Sequence, residues 1–259
     1  FHDELLRNLQ HKPSTQQKDR TKVEHKPLAY LYEKFTAFIE ERRAEPRNDV
    51  LTSLATATFP DGELPSVLDI TVLASGLFAA GHETTVRLIG YMFQALGEDA
   101  ALQATLRQHR DRIPTFIEES LRLSTPIQAD FRLAKKRGSL GGIDVAPGTC
   151  VMVIPAAANR DPRKFEQPNE LRLDRSNARH HLSFGSGIHS CAGAPLARTE
   201  ARISAEMLLD RMGDIKISEE HHGVAGARRW KHPETFIVHG VDQLHLEFTP
   251  RQAVREQTA

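Results

Sequence analysis

The sequence predicts a mainly α-helical protein with small β-sheet elements, on three observations. Apolar residues recur at three-to-four spacing in several segments, the helical period. A long, mostly apolar stretch runs from Pro65 to about Leu96. Short strand-like runs are confined to one window between Phe131 and Pro155.

The elements follow in chain order. Residues 1–27 are polar and mildly basic, with Lys12-Pro13-Ser14-Thr15-Gln16-Gln17-Lys18 showing no periodic apolar face, and read as a loop or a cut edge. Residues 28–259 then form the folded domain. Leu31, Phe35, Phe38 and Ile39 share one face of a first helix, which Pro46 and Asn48 end. After the turn Pro60-Asp61-Gly62, Pro65 suits the first turn of the long helix, whose few charges before His82 predict burial through the middle of the protein. A helical pair covers about 100–123, Pro114 opening its second member and Pro126 closing it. Thr149-Cys150-Val151-Met152-Val153-Ile154, after the turn Ala146-Pro147-Gly148, reads as a strand that buries Cys150. Residues 156–193 carry prolines, asparagines and glycines and read as one long irregular segment, a kind that is often functional. A helix resumes from Ala194 to about Met212, with Leu196, Ile203 and Met207 along one side. Weak alternation from Thr235 to Phe248 predicts a hairpin.

Composition narrows the function. In 259 residues, 34 Lys+Arg balance 34 Asp+Glu, so the basic excess of a nucleic-acid binder is missing and none is expected as a partner. The longest apolar run, around Val72 to Gly81, is interrupted by Ser75 and Gly76 and falls short of the ~20 residues that span a bilayer, so no membrane association is expected. Two cysteines make no disulfide framework, and the first residues lack the basic-then-apolar plan of a secretory signal; a reducing cytoplasm is the expected location.

Three motifs carry chemistry. Phe184-Gly185-Ser186-Gly187-Ile188-His189-Ser190-Cys191-Ala192-Gly193-Ala194-Pro195 delivers one cysteine to a helix start. Glycines let backbone approach another object closely, and a helix N-terminus favours thiolate over thiol, which suits a metal ligand. The blander reading is a small buried cysteine at a loop-to-helix turn. Ala80-Gly81-His82-Glu83-Thr84-Thr85 places an acid beside a hydroxyl inside the long apolar helix, where both are costly without a task or a partner. Its alternative is a surface cap at a helix break. Glu119-Ser-Leu-Arg122 is an acid and a base three apart, a common surface pair worth only ~0.3–0.5 kcal/mol when solvated.

In this order the motifs resemble the cytochrome P-450 family of haem-thiolate monooxygenases in its soluble bacterial form. The cysteine loop matches F-x-x-G-x-x-x-C-x-G, Gly81 to Thr84 match the oxygen-handling helix, and Glu119 with Arg122 match E-x-x-R. Phe131-Arg132-Leu-Ala134, Ala158-Asn159-Arg160-Asp161-Pro162 and Gly193-Ala-Pro-Leu-Ala-Arg198 agree as well. The resemblance covers about residues 28–250 and leaves roughly the first third of a family member without a counterpart. It implies a cytochrome P-450 fold lacking that N-terminal third, with haem b (iron protoporphyrin IX) as cofactor and O2 as co-substrate.

The resemblance also assigns roles. Cys191 is the iron ligand, Phe184, Gly185, Gly187 and Gly193 shape its loop, and His189 and Arg132 hold the haem propionates. Glu83 and Thr84 are catalytic, relaying protons and bonding dioxygen. Glu119 and Arg122 are structural; Glu170 stands where relatives carry a third, basic partner, and Arg172 or Arg175 is the candidate to compensate. Substrate contacts are expected from Ala79, Ala80, Ile127, Gln128, Ile237 and Val238, which suit a small or medium apolar molecule. Arg163, Lys164, Arg172, Arg175, Arg179, His180 and His181 form a basic cluster for a ferredoxin, itself reduced by an NAD(P)H-dependent ferredoxin reductase. Three other readings stand beside this one: a peroxygenase that uses hydrogen peroxide directly, against which Glu83-Thr84 argues; a haem-free, non-catalytic remnant; and a metal-binding module in which His180, His181, His189 and Cys191 hold zinc, against which the absence of C-x-x-C spacing argues.

Overall fold

The computed structural model describes residues 26–251. Except for Lys26 and Pro27, which begin a helix, the 1–27 segment lies outside the described residues. The helices are α1 (Lys26–Ala44), α2 (Val50–Thr56), α3 (Val67–Glu98), α4 (Ala100–Gln108), α5 (Ile113–Leu123), α6 (Pro155–Ala158), α7 (Ala194–Arg211) and α8 (Glu219–His222). The strands β1 (Asp130–Leu133), β2 (Gly138–Leu140), β3 (Ile143–Val145), β4 (Cys150–Val153), β5 (Met212–Ile217) and β6 (Leu246–Pro250) form antiparallel pairs β1–β4, β2–β3 and β5–β6. Mainly helical with small sheets is therefore the observed class.

The chain divides into two compact units, one ending at Ala80 and the other beginning at Gly81, both within α3. In the first unit, Leu31, Phe35 and Ile39 of α1 pack with Ala55 of α2 and with Ile70 and Ala74 of α3. Asp49 caps α2 by accepting the Thr52 N–H at 2.7 Å, and Ser66 does the same for α3 through the Asp69 N–H at 3.1 Å. Thr36 and Thr71 share a hydroxyl hydrogen bond at 3.2 Å, which pays the desolvation of the fully buried Thr71.

In the second unit, Leu88, Met92 and Leu96 of α3 join Leu102 and Leu106 of α4, Phe116 and Leu121 of α5, and Ala201, Ala205 and Leu209 of α7. Pro114 sits in the first turn of α5 as its sequence predicts. Gly97 is required by close approach: a Cβ there would lie 2.6 Å from Ile217 Cδ1. Buried Gln103 stitches α4 to β5, donating to the Leu96 and Ile215 carbonyls at 2.6 and 2.7 Å and accepting the Ile215 N–H at 3.2 Å.

Four expectations are corrected. The long helix is buried along one stripe only, and Leu68, Val72, Leu73, Leu77 and Val86 are exposed. On α7, Leu196, Ile203 and Met207 face out while small alanines face in, because alanine lets two helices approach closely. No hairpin forms over 235–248; its last residues enter β6, which pairs with β5 more than thirty residues upstream, an association that local alternation cannot specify. Cys150 lies in β4 as expected but is exposed, since β1 and β4 pair as an isolated two-stranded sheet and leave their side chains largely uncovered.

Candidate active site

The best-ordered chemistry sits on α5. Arg122 donates to both Glu119 oxygens, Nε to Oε1 at 2.7 Å and Nη2 to Oε2 at 2.9 Å, and both side chains are fully buried. The three-residue spacing puts both on one helix face. Arg122 uses its remaining donors on the carbonyls of Asn159, Pro168 and Glu170 at 3.1, 2.5 and 2.9 Å, and its guanidinium lies over the Phe165 ring at 5.1 Å. The third partner is found: Arg175 forms an ion pair with Glu119 Oε1 at 2.9 Å, and the backbone N–H of Arg172 donates to Oε2 at 3.1 Å. Burial pushes the Glu119 carboxyl up, and the hydrogen bonds from Arg122, Arg172 and Arg175 outweigh it and hold it low. The network thus pins the irregular segment, whose backbone runs on into the cysteine loop.

Asn159, inside the Ala-Asn-Arg-Asp-Pro run, continues the pinning. Its buried amide donates to Thr125 Oγ1 at 2.7 Å and Ser183 Oγ at 2.9 Å, and its carbonyl oxygen accepts the Leu182 N–H at 2.6 Å.

From there Phe184 leads into the loop. Gly185 and Gly187 take left-handed φ of 68° and 73°, which any other residue adopts only under strain. The Cys191 N–H donates to the Phe184 carbonyl at 2.8 Å, and α7 begins three residues on, with Pro195 in its first turn. A Cβ on Gly193 would lie 3.8 Å from Cys191 Sγ. The thiol is exposed, not the buried cysteine of the blander reading.

The other predicted residues fall into groups. Arg132 on β1 pairs with Asp130 at 2.5 Å, and Asp130 is held acidic chiefly by that hydrogen bond. Ile127 and Gln128 lie beside Ile237 and Val238: Ile127 bridges Val238, and the Gln128 N–H donates to the Ile237 carbonyl at 2.7 Å. Glu83 and Thr84 occupy unbroken α3, not a cap at a helix break. Glu83 is half-exposed and paired with Arg87, whose Nε and Nη2 lie 2.9 and 2.8 Å from Oε1; Arg87 also donates to the Val241 carbonyl at 2.7 Å. Ala79 and Ala80, in the first unit, are exposed. Arg87 was not singled out from sequence, although a base four residues after an acid on a helix was the available signal.

Of the basic cluster, Arg163, Lys164, Arg179 and His180 are exposed, while Arg175 and His181 turn inward to glutamates. Among the described residues no three His, Cys, Asp or Glu side chains gather in a metal-holding group, which removes the zinc reading of His180, His181, His189 and Cys191.

These surfaces fit haem b. The Cys191 sulfur is accessible at a helix start, large apolar side chains face outward near it in sequence (Ile188, 97% exposed, and Leu196) and on β1 and β4 (Phe131, Leu133, Met152, Val153), and Arg132 already holds one carboxylate, that of Asp130. Exposed apolar area of this kind marks a ligand or partner surface. Fold and loop together define a helical protein that exposes a cysteine beside outward-facing apolar side chains.

The comparisons with known proteins agree. The cytochrome P-450 family model matches residues 3–212, and the chain belongs to the cytochrome P-450 family. Members of that family carry haem b and use O2 as co-substrate. The chain is 41% identical over 188 residues to cytochrome P-450 109 of Bacillus spizizenii, covering 73% of this chain and 46% of the relative. It resembles the substrate-free structure of CYP150A6 of Mycobacterium marinum at 54% identity and a TM-score of 0.83, over 87% of this chain and 56% of that one. It also resembles CYP109E1 of Bacillus megaterium in complex with testosterone, at 33% identity and a TM-score of 0.77, over 85% and 59%. The chain spans about half the length of the curated relatives it matches.

Proposed function

We propose that the protein of this chain is a haem-dependent monooxygenase that inserts one oxygen atom of O2 into a small or medium apolar organic molecule. The observation that carries the reading is the Cys191 loop: left-handed glycines, an exposed sulfur, and outward apolar side chains. The Cys191 thiolate would hold haem, which would supply oxygen activation, with electron density from the thiolate favouring O–O cleavage. Gly193 keeps a side chain away from Cys191 Sγ, Gly185 and Gly187 allow the left-handed turns of the loop, and Arg132 and His189 would give charge-assisted bonds to the propionates.

Thr84 donates a hydrogen bond to the oxygen co-substrate and is reprotonated by way of Glu83, whose half-exposed carboxylate reaches solvent protons. Two electrons and two protons per turnover convert one oxygen atom to water. The electrons come from a separate ferredoxin, with its NAD(P)H-dependent ferredoxin reductase, docked on the exposed Arg163, Lys164, Arg179 and His180. Ile127, Gln128, Ile237 and Val238 line the substrate side. The testosterone complex of CYP109E1 supports a compact apolar substrate. No described helix is long and apolar enough to cross a membrane, which suits work in the cytoplasm.

The test is the absorption spectrum of the chain produced with ample haem, reduced and exposed to carbon monoxide, with Cys191→Ala as control. A strongly red-shifted Soret band lost in the control is the expected result. The absence of a haem band, or one typical of histidine ligation, favours the second reading, a haem-free, non-catalytic remnant.

A further inference from the structure

Glu118, the neighbour of the E-x-x-R glutamate, is as buried as its motif partner and has a different set of contacts. Arg198 of α7 grips it with two bonds, Nε to Oε1 at 2.6 Å and Nη2 to Oε2 at 3.0 Å. The His181 ring meets Oε2 through Nε2 at 3.0 Å, while its Nδ1 accepts the Ser183 N–H at 3.1 Å. Arg179 stands 3.7 Å away on the exposed side. Both tightly held groups touch the same aromatic: the Arg198 guanidinium lies 4.6 Å from the Phe184 ring centroid, and the His181 ring lies 5.8 Å from it. Phe184 in turn accepts the Cys191 N–H. One carboxylate on α5 therefore fixes an arginine and a histidine against the residue that carries the cysteine.

We propose that Glu118 is a positioning residue for Cys191: it holds the Arg198 cation against Phe184, whose carbonyl takes the Cys191 N–H, so that the Glu118–Arg198 pair contributes to the field at Cys191. Arg198 lies on the second turn of the helix that Cys191 precedes, and the two groups interact electrostatically, with the Glu118 hydrogen bond the larger influence on the guanidinium. Glu118 partly offsets that cation. Removing the carboxylate leaves the positive charge less compensated, and removing the cation leaves the carboxylate, so the two substitutions act on the sulfur with opposite sign. The significance of this field for iron rests on reading Cys191 as the iron ligand, but the field itself does not.

The test needs no haem. In the full chain carrying Cys150→Ser, the rate of Cys191 modification is measured with an anionic aromatic disulfide and with neutral iodoacetamide at one pH, and their ratio is taken. The thiolate fraction cancels in that ratio, because both reagents attack the same thiolate. Glu118→Gln is expected to raise the anionic-to-neutral ratio by about threefold or more at low salt, Arg198→Gln to lower it by a similar factor, and salt to shrink both effects. Glu118→Asp, which keeps the charge, is expected to keep the ratio near that of the parent. Ratios that stay unchanged, or that move in the same direction for Glu118→Gln and Arg198→Gln, overturn the proposal. Should Glu118→Gln fail to fold, Arg198→Gln and Arg198→Lys carry the test alone: loss of the anionic preference in the first and its retention in the second are expected, and equal ratios in all three proteins overturn it. Failure of the haem spectrum with these ratios intact would count against the monooxygenase reading only.

Discussion

The α5 network and the Cys191 loop lie in one unit and distribute polarity in opposite ways. On α5, Glu119 and Arg122 are charged and fully buried, and Arg122 also reaches three backbone carbonyls. In the loop Ile188 is apolar and almost wholly exposed, and Leu133 on β1 and Leu196 on α7 are exposed as well. Buried charge is tolerable only where paired and hydrogen-bonded, and α5 meets that condition from this chain's own residues. Large exposed apolar side chains beside an accessible thiol instead describe a surface shaped for another group. The first region is complete as a fold element; the second is a binding surface on the same scaffold.

The largest effect that could break this comparison is on Arg122. Arg122→Ala strands Glu119 in the interior and orphans the carbonyls of Asn159, Pro168 and Glu170, and is expected to cost about 3–5 kcal/mol in urea unfolding. A cost under 1 kcal/mol would show that the network is solvated after all.

Next comes acid. Burial raises the Glu118 carboxyl, but the hydrogen bonds from His181 and Arg198 override it and bring it to about 2. A carboxyl depressed in the folded state contributes stability above its unfolded pKa and loses it as pH falls toward the folded value. Stability on the order of 2–3 kcal/mol is therefore expected to disappear between about pH 4.5 and pH 2, and Glu118→Gln should flatten that part of the pH–stability curve. An unchanged slope in the variant would assign the acid sensitivity elsewhere.

Gly185→Ala is a smaller perturbation, costing about 1–2 kcal/mol for a side chain at φ 68°. It is expected to weaken haem uptake more than it lowers the thermal midpoint, and the reverse order would make the loop a folding element. The smallest stability effect sharpens the comparison most: Ile188→Ser should leave unfolding within about 0.5 kcal/mol while reducing haem affinity measured by Soret titration. If stability falls instead, Ile188 belongs to the core.

Much of this was legible beforehand. Helical periodicity located α1, α5 and α7, prolines marked the starts of α5 and α7, and glycine spacing singled out the Cys191 loop, because each signal is carried by neighbouring residues. The partner of Glu119 was foreseen as Arg172 or Arg175, and both contribute, one by backbone and one by side chain. Glu118 was passed over because nothing in Glu118-Glu119 says that both face inward. Two adjacent helix positions are both buried only when packing comes from two sides, here α7 and the irregular segment.

The sequence by itself determined α1, α3, α4, α5 and α7 and the identity of the cysteine loop, since local backbone preference and a short motif suffice for these. Only the tertiary structure decided that β6 pairs with β5, that alanines and not Leu196, Ile203 and Met207 form the inner face of α7, and that Arg198 and His181 converge on Glu118. Those outcomes depend on which surfaces meet across long chain separations. Packing geometry selects that meeting, and no residue's own preference encodes it.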